Sequence, residues 1–378
     1  MPITPPLLRR RHLLAAGIAG PLAAVAASPL PRGPGRPVTI AQLFDASAAE
    51  QDVARDFLAG SRAAWQEINS QGGLRGRPVQ HVALETDGTA ASVRSACLAA
   101  LEDPACVALS GTAGNPVALH AAAVLAQERA GIAHVAPWLQ SAGLEVDERT
   151  FPIFAGRQEQ IAHALKSLAV IGVREVGAVF ASAREADLYQ RDVVGSAAAL
   201  RLRLSTYRAD GDLARLGQRL GPTSPALLLF LGGTPELVQF TQGLERQARQ
   251  RYLIALGEVN LQTVLQMGGS KAIPVIATQP VPHVGASLPV VRRYRDAMAR
   301  LFDELPSALG LAGYIAARYT FGVLEAVEGP PARASALAAF QRRAALDVGG
   351  YRVSYDDTRR SATFVTQSML TADGRVVG

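Results

Sequence analysis

The sequence predicts an α/β protein built of two doubly wound parallel-sheet lobes. Three observations carry that expectation: strand and helix patterns alternate without a break after residue 37, the length of 378 residues exceeds one ordinary core and fits two, and the stretch Ile68–Val79 is punctuated like a helix-to-strand connection. In that stretch Ile68-Asn69 closes a helix, Gly72-Gly73 stops it, and Gly76-Arg77-Pro78-Val79 opens a strand. The paired glycines supply the left-handed positions that end many helices, and Pro78 biases Arg77 towards extended backbone. Upstream, Val53, Phe57, Gly60/Ser61, Ala64/Trp65 and Ile68 keep helical spacing and present one apolar face to a sheet.

Residues 1–37 read as an export signal and leader. Arg9-Arg10-Arg11-His12-Leu13-Leu14 is a charged n-region, Leu13–Ala27 is apolar but too short to span a bilayer comfortably, and Ala24-Val25-Ala26 or Val25-Ala26-Ala27 offers a small-residue cleavage site. The arginines fit the twin-arginine route, and ordinary Sec export is also open. No cysteine follows the apolar stretch, so a lipid anchor is not supported, and the expected location is the periplasm.

The elements then run in order. Val38–Phe44 is a strand, Gln51–Ser70 a helix, Val79–Glu85 a strand, Thr89–Leu101 a helix, Cys106–Ser110 a strand, Pro116–Ala130 a helix, Ile132–Ala136 a strand and Phe151–Ala155 a shorter one. After Gly156 come helix Gln158–Ile171, strand Glu175–Phe180, helix Ala186–Leu200, strand Leu204–Tyr207, helix Leu213–Leu220 and strand Ala226–Leu231. Helix Pro235–Gln247, strand Tyr252–Leu256, a short helix from Asn260 and strand Pro274–Thr278 complete that series. Pro280, Pro282, Gly285 and Pro289 make Gln279–Pro289 a connection. Helices near Val290–Phe302, Gly310–Glu328 and Arg333–Ala345 follow, and the tail alternates as two strands, Tyr351–Tyr355 and Ala362–Leu370.

Composition excludes several functions. With 49% hydrophobic and 19% charged residues the chain is globular. The net charge of +6 does not mark a nucleic-acid binder: Lys166 and Lys271 are the only lysines, and the arginines are dispersed beyond the N-terminus. The first strand ends in Asp45-Ala46-Ser47 with no dinucleotide turn, and Gly232-Gly233-Thr234-Pro235 lacks the Lys-Ser/Thr of a P-loop. His81, His120, His134, His163 and His283 show no zincin spacing, and neither Ser110-Gly111 nor Gly269-Ser270 has the surround of a nucleophile elbow. No enzyme, cofactor or metal is expected. Cys97 and Cys106 either bridge, as export permits, or remain two buried thiols.

Ligands of open parallel sheets sit beyond the carboxyl ends of the strands, near helix N-termini. Asn115 reads as an N-cap with Pro116 at the first helical position, so the loop Ser110–Asn115 offers backbone N–H groups to an anion such as a carboxylate.

Several motifs in order resemble the branched-chain amino-acid (leucine/isoleucine/valine) binding family of type I periplasmic solute-binding proteins, which serve ABC importers. They are Ile68-Asn69 with Gly72–Val79, Gly111–Pro116, Ala136-Pro137, Phe154-Ala155-Gly156-Arg157 and the tail Tyr351–Gly374. The resemblance covers residues 38–378 and implies two lobes joined by three crossovers, near Gly156, Gln279–Pro289 and Gly349–Asp357. Lobe 1 would hold residues 38–156 and 286–350, and lobe 2 residues 157–285 and 351–378. It implies a monomer that captures a small amino-acid-like or carboxylate solute between the lobes and delivers it to an inner-membrane ABC permease. A sensing receptor subunit of the same fold and an exported α/β enzyme are the alternatives.

The family's contacts carry over unevenly. The carboxylate loop corresponds to Gly111–Asn115, with Thr112, Ala113 and Asn115 as its contacts. The next strand end puts Trp138 and Gln140 at ligand positions, where Trp138 either meets the ligand or packs beneath the loop. Tyr189 matches a pocket tyrosine, Thr234 an often aromatic position, and Glu258 the acid that receives an α-ammonium group.

Overall fold

The computed structural model describes residues 36–141, 146–301, 304–361, 364–371 and 373–378. The expected export signal, in residues 1–35, lies outside the described residues. Strands β1 (Val38–Asp45), β2 (Val79–Thr86), β3 (Cys106–Ser110), β4 (Ala133–Val135) and β5 (Thr150–Phe151) form a parallel sheet in the order β2-β1-β3-β4-β5. Helices α1 (Gln51–Ser70), α2 (Ala90–Glu102) and α3 (Asn115–Gln127) connect them. Helix α1 ends as its sequence dictates: Gly72 and Gly73 take positive φ and the Gly73 N–H reaches Ile68 O. Asn69 then fixes the start of β2, its side chain bonding both the N–H and the C=O of Val79 at 2.8 Å.

The second sheet follows α4 (Arg157–Val170). It contains β6 (Glu175–Phe180), β7 (Arg203–Arg208), β8 (Leu227–Leu231), β9 (Tyr252–Ala255) and β10 (Val275–Gln279), all parallel, separated by α5 (Ala183–Ala199), α6 (Leu213–Arg219), α7 (Thr234–Leu244) and α8 (Leu261–Gln266). The chain next adds α9 (Pro289–Leu301), α10 (Ala308–Glu325) and α11 (Arg333–Gln341), and a hairpin of β11 (Leu346–Val348) and β12 (Tyr351–Val353). It ends in β13 (Thr366–Leu370) and β14 (Val376–Val377), which extend the second sheet antiparallel, giving the order β14-β13-β10-β9-β8-β6-β7. The α/β expectation of two doubly wound lobes therefore stands.

Helices α9 and α10 close over the first sheet, and their Tyr294, Tyr314 and Tyr319 share one core with Phe57, Trp65 and Phe151. The tail divides differently from the expectation. Tyr351 and Val353 lie in that first core, with the Tyr351 hydroxyl donating to Ile153 O at 2.7 Å, so the chain enters the second sheet only at β13. Burial of the Tyr351 ring outweighs sequence proximity to the last strands. Cys97 and Cys106 are free and buried, which decides the two alternatives in favour of thiols. Desolvation pushes their pKa values up to about 12 and about 11.

Candidate functional site

The carboxyl ends of the parallel strands of both sheets open on one cleft of about 350 Å³. The first sheet contributes Asp45 at the end of β1, Glu50 and Asp52 at the start of α1, Asp87 beyond β2, and Asn115 at the start of α3. The second contributes Arg157 at the start of α4, Arg184, Glu185 and Tyr189 on α5, Thr234 and Glu236 at the start of α7, and Glu258 beyond β9. Local chemistry sets these positions. Ser182 caps α5 by accepting the Glu185 N–H, and Gly233 with Pro235 starts α7. Across the two layers, Asn260 Nδ2 donates to the buried Asp56 Oδ2 of α1 at 2.8 Å.

A buried charge cluster forms one wall. The Arg157 guanidinium bonds Glu185 at 2.5 Å and pairs with Glu258, and it lies 4.5 Å over the Tyr189 ring. Arg157 and Glu258 are both buried. Glu258 Oε1, Tyr189 Oη, Arg157 Nε and Glu50 Oε2 are shut off from solvent without a hydrogen-bond partner in the protein. Glu50 is the N-cap residue of α1 yet makes no side-chain cap bond. Its pKa is pushed up to about 7, first by desolvation and further by the charges of Asp45 and Glu185, against the opposing pull of Arg157 and Arg184. Among the described residues, no cluster of His, Cys, Asp or Glu is arranged to hold a metal ion.

The model of the family described as "Periplasmic binding protein" matches residues 37–371. The chain belongs to the periplasmic binding protein family. This periplasmic binding protein shares its fold with an extracellular ligand-binding receptor from Verminephrobacter eiseniae (TM-score 0.81, 17% identity, 90% of this chain and 99% of that one). It is similarly close to a possible leucine/isoleucine/valine-binding protein from Rhodopirellula baltica (TM-score 0.76, 21% identity, 93% and 98%). A fatty acid ABC transporter substrate-binding protein from Thermomonospora curvata also aligns (TM-score 0.75, 14% identity, 90% of each chain). No curated protein matches the sequence. The family and these neighbours are binding proteins or receptors, not enzymes. Among the described residues no helix is long and apolar enough to cross a membrane.

In this periplasmic binding protein the cleft brings together four of the eight residues singled out in the sequence: Asn115, Tyr189, Thr234 and Glu258. The other four are outside its lining. Thr112 is fully buried with its hydroxyl 2.8 Å from His134 Nε2, and the Ala113 backbone bonds β1 through Leu43 O and the Asp45 N–H. Gln140 is buried and accepts from Gln160 Nε2 at 2.8 Å. Trp138 stacks its ring edge-on to Phe57, 5.9 Å away, and lies 5.6 Å from Phe154 in the first core, so it packs and does not meet the cleft. Asn115 is not the N-cap. Gly114 is, and Asn115 begins the helix while its Oδ1 accepts the Gln140 N–H at 2.9 Å. The expectation failed because a glycine with φ 111° can turn the chain there, freeing the Asn115 side chain to hold the neighbouring loop.

Sequence reasoning missed Arg157, Glu50, Asp45 and Glu185. Arg157 stood in the motif Phe154–Arg157, and Asp45 at the end of the first strand, where ligands of such sheets gather. Glu50 and Glu185 gave no signal, because a carboxylate opening a helix is ordinary for dipole reasons alone.

Proposed function

We propose that this chain is the extracytoplasmic solute-binding component of an ABC importer, capturing a small amino-acid-like solute in the cleft and presenting the loaded form to a permease. The observation that carries this is one cleft lined from the strand ends of both sheets, its lining including Glu258 and Tyr189, each with a buried polar atom that has no partner in the protein. Groups from both lobes touch a solute only when the lobes are together, so binding favours that arrangement. Of the two solute types implied by the sequence, a simple carboxylate fits less well, because the lining carries seven carboxylates and two guanidinium groups.

The test is uptake. Cells lacking this gene should lose high-affinity import of the solute that co-purifies with the protein, and restoring the gene should return it. Unchanged uptake with an altered transcriptional response to the same solute would replace the importer reading with a sensing receptor.

A further inference from the structure

This inference rests on the solute-binding reading but replaces its amino-acid-like solute with one of a different charge. In a chain of net charge +6, the cleft lining carries seven carboxylates against two guanidinium groups. Neither arginine offsets that excess at the centre. Arg157 is already claimed by Glu185 and Glu258, and Arg184 is exposed at the rim. A low-dielectric cleft lined by one sign of charge concentrates ligands of the other.

Unmet hydrogen bonding points the same way. Glu258 is 6% exposed and Tyr189 3%, both line the cleft, and Glu258 Oε1 and Tyr189 Oη have no partner in the protein. Glu50 Oε2 is in the same condition. The two carboxylate oxygens accept hydrogen bonds and the Tyr189 hydroxyl can accept one too, and a buried acceptor left unmet is destabilising until an N–H donor arrives. Of the two unpartnered donors, Arg157 Nε belongs to a guanidinium whose charge is already met, and the Tyr189 hydroxyl carries no charge to hold an anion.

The side chains that would receive a solute carboxylate are engaged elsewhere. Thr112 is turned to His134 and Asn115 to the 140–141 backbone. The Asp45 side chain packs against Gly114, the residue that caps α3, where a Cβ added to the glycine would come within 2.8 Å of Asp45 Cβ. The chain's own carboxylate thus stands at the helix start and repels a second anion.

We infer that the solute is a small organic cation without a free carboxylate, of the alkyl-diamine or guanidino-amine class, held between Asp45 and Glu50 on one side and Glu258 and Tyr189 on the other. Titration calorimetry of the purified protein with 1,4-diaminobutane, agmatine, L-leucine and L-glutamate tests it, alongside mass spectrometry of small molecules released on denaturation. One of the two amines should bind saturably and at least about tenfold more tightly than either amino acid, and Glu50→Gln should weaken it by about tenfold or more. A released molecule should carry net positive charge. Tighter binding or co-purification of leucine, glutamate or another carboxylate would overturn the charge class while leaving the solute-binding reading intact. An amine that binds Glu50→Gln unchanged would overturn the placement. No saturable binding of any probe and no released molecule would overturn both readings.

Discussion

Arg157 joins two carboxylates on separate elements, Glu185 of α5 and Glu258 beyond β9, in a nearly dry wall. Its removal leaves both acids facing each other without their cation, so Arg157→Met should lower the unfolding free energy by about 3–5 kcal/mol in denaturant titration. Adding Glu258→Gln to that variant should recover part of the loss, because one of the stranded charges is then gone. Equal stability of single and double variants would mean that the pair is not coupled. At this scale the sequence was half legible. Glu258 and Tyr189, singled out in the sequence, both line the cleft, but the partner that ties them together lies far away in the chain, and no spacing rule links such residues. Trp138 was ambiguous because a Trp after a strand end serves a pocket or a core equally well. Only the neighbours Phe57 and Phe154 decide it.

Between elements, the closest packing is that of α1 on α10. A Cβ placed on Gly313 would stand 1.9 Å from the Phe57 carbonyl oxygen, and one on Gly60 would stand 1.7 Å from Gly310 O. The contact is backbone against helix, with Ser61 Oγ donating to Gly313 O at 3.2 Å, so no side chain can rotate away to relieve a methyl group. Gly313→Ala should therefore cost about 3 kcal/mol, the upper range for overpacking, although alanine is the better helix former in isolation. A raised melting temperature in that variant would show that the helices separate without penalty. Elements of this kind were the most legible part of the chain, because β-periods, helix faces and Gly/Pro breaks recur over many residues. Strand β11 was not, since Leu346–Val348 follows a helical pattern closely and is only three residues long, whereas its partner β12 falls within the expected strand Tyr351–Tyr355. Likewise Gln160 looked like one polar helix residue. Its side chain in fact ties Gln140, Ala155 O, the Gly257 N–H and Thr278 together at the point where the chain passes from one sheet to the other.

For the whole molecule, buried groups with opposite preferences set the pH of greatest stability. Burial pushes the pKa of His81 down to about 4, helped by Arg62, and that of His134 to about 4, opposed by Asp147. Their ordinary value is 6.5, so between about 4 and 6.5 the unfolded chain binds two protons that the folded chain refuses, and stability rises with pH. Glu50 acts in reverse. Its pKa is raised from 4.5 to about 7 by burial and by Asp45 of β1 and Glu185 of α5, against Arg157 of α4 and Arg184 of α5. The folded chain then keeps a proton that the unfolded chain has lost, and stability falls as pH rises across that window. Each histidine is still half protonated in the unfolded chain at pH 6.5, so the opposing effects of two histidines and one glutamate cancel only near pH 7. The melting temperature of the unliganded protein should therefore climb from pH 5 and level off near neutrality. In Glu50→Gln the climb should be steeper over the same range, because the opposing group is gone. An unchanged slope in that variant would mean that Glu50 titrates as an ordinary exposed carboxylate, and the cleft would then hold its full negative charge before any solute arrives.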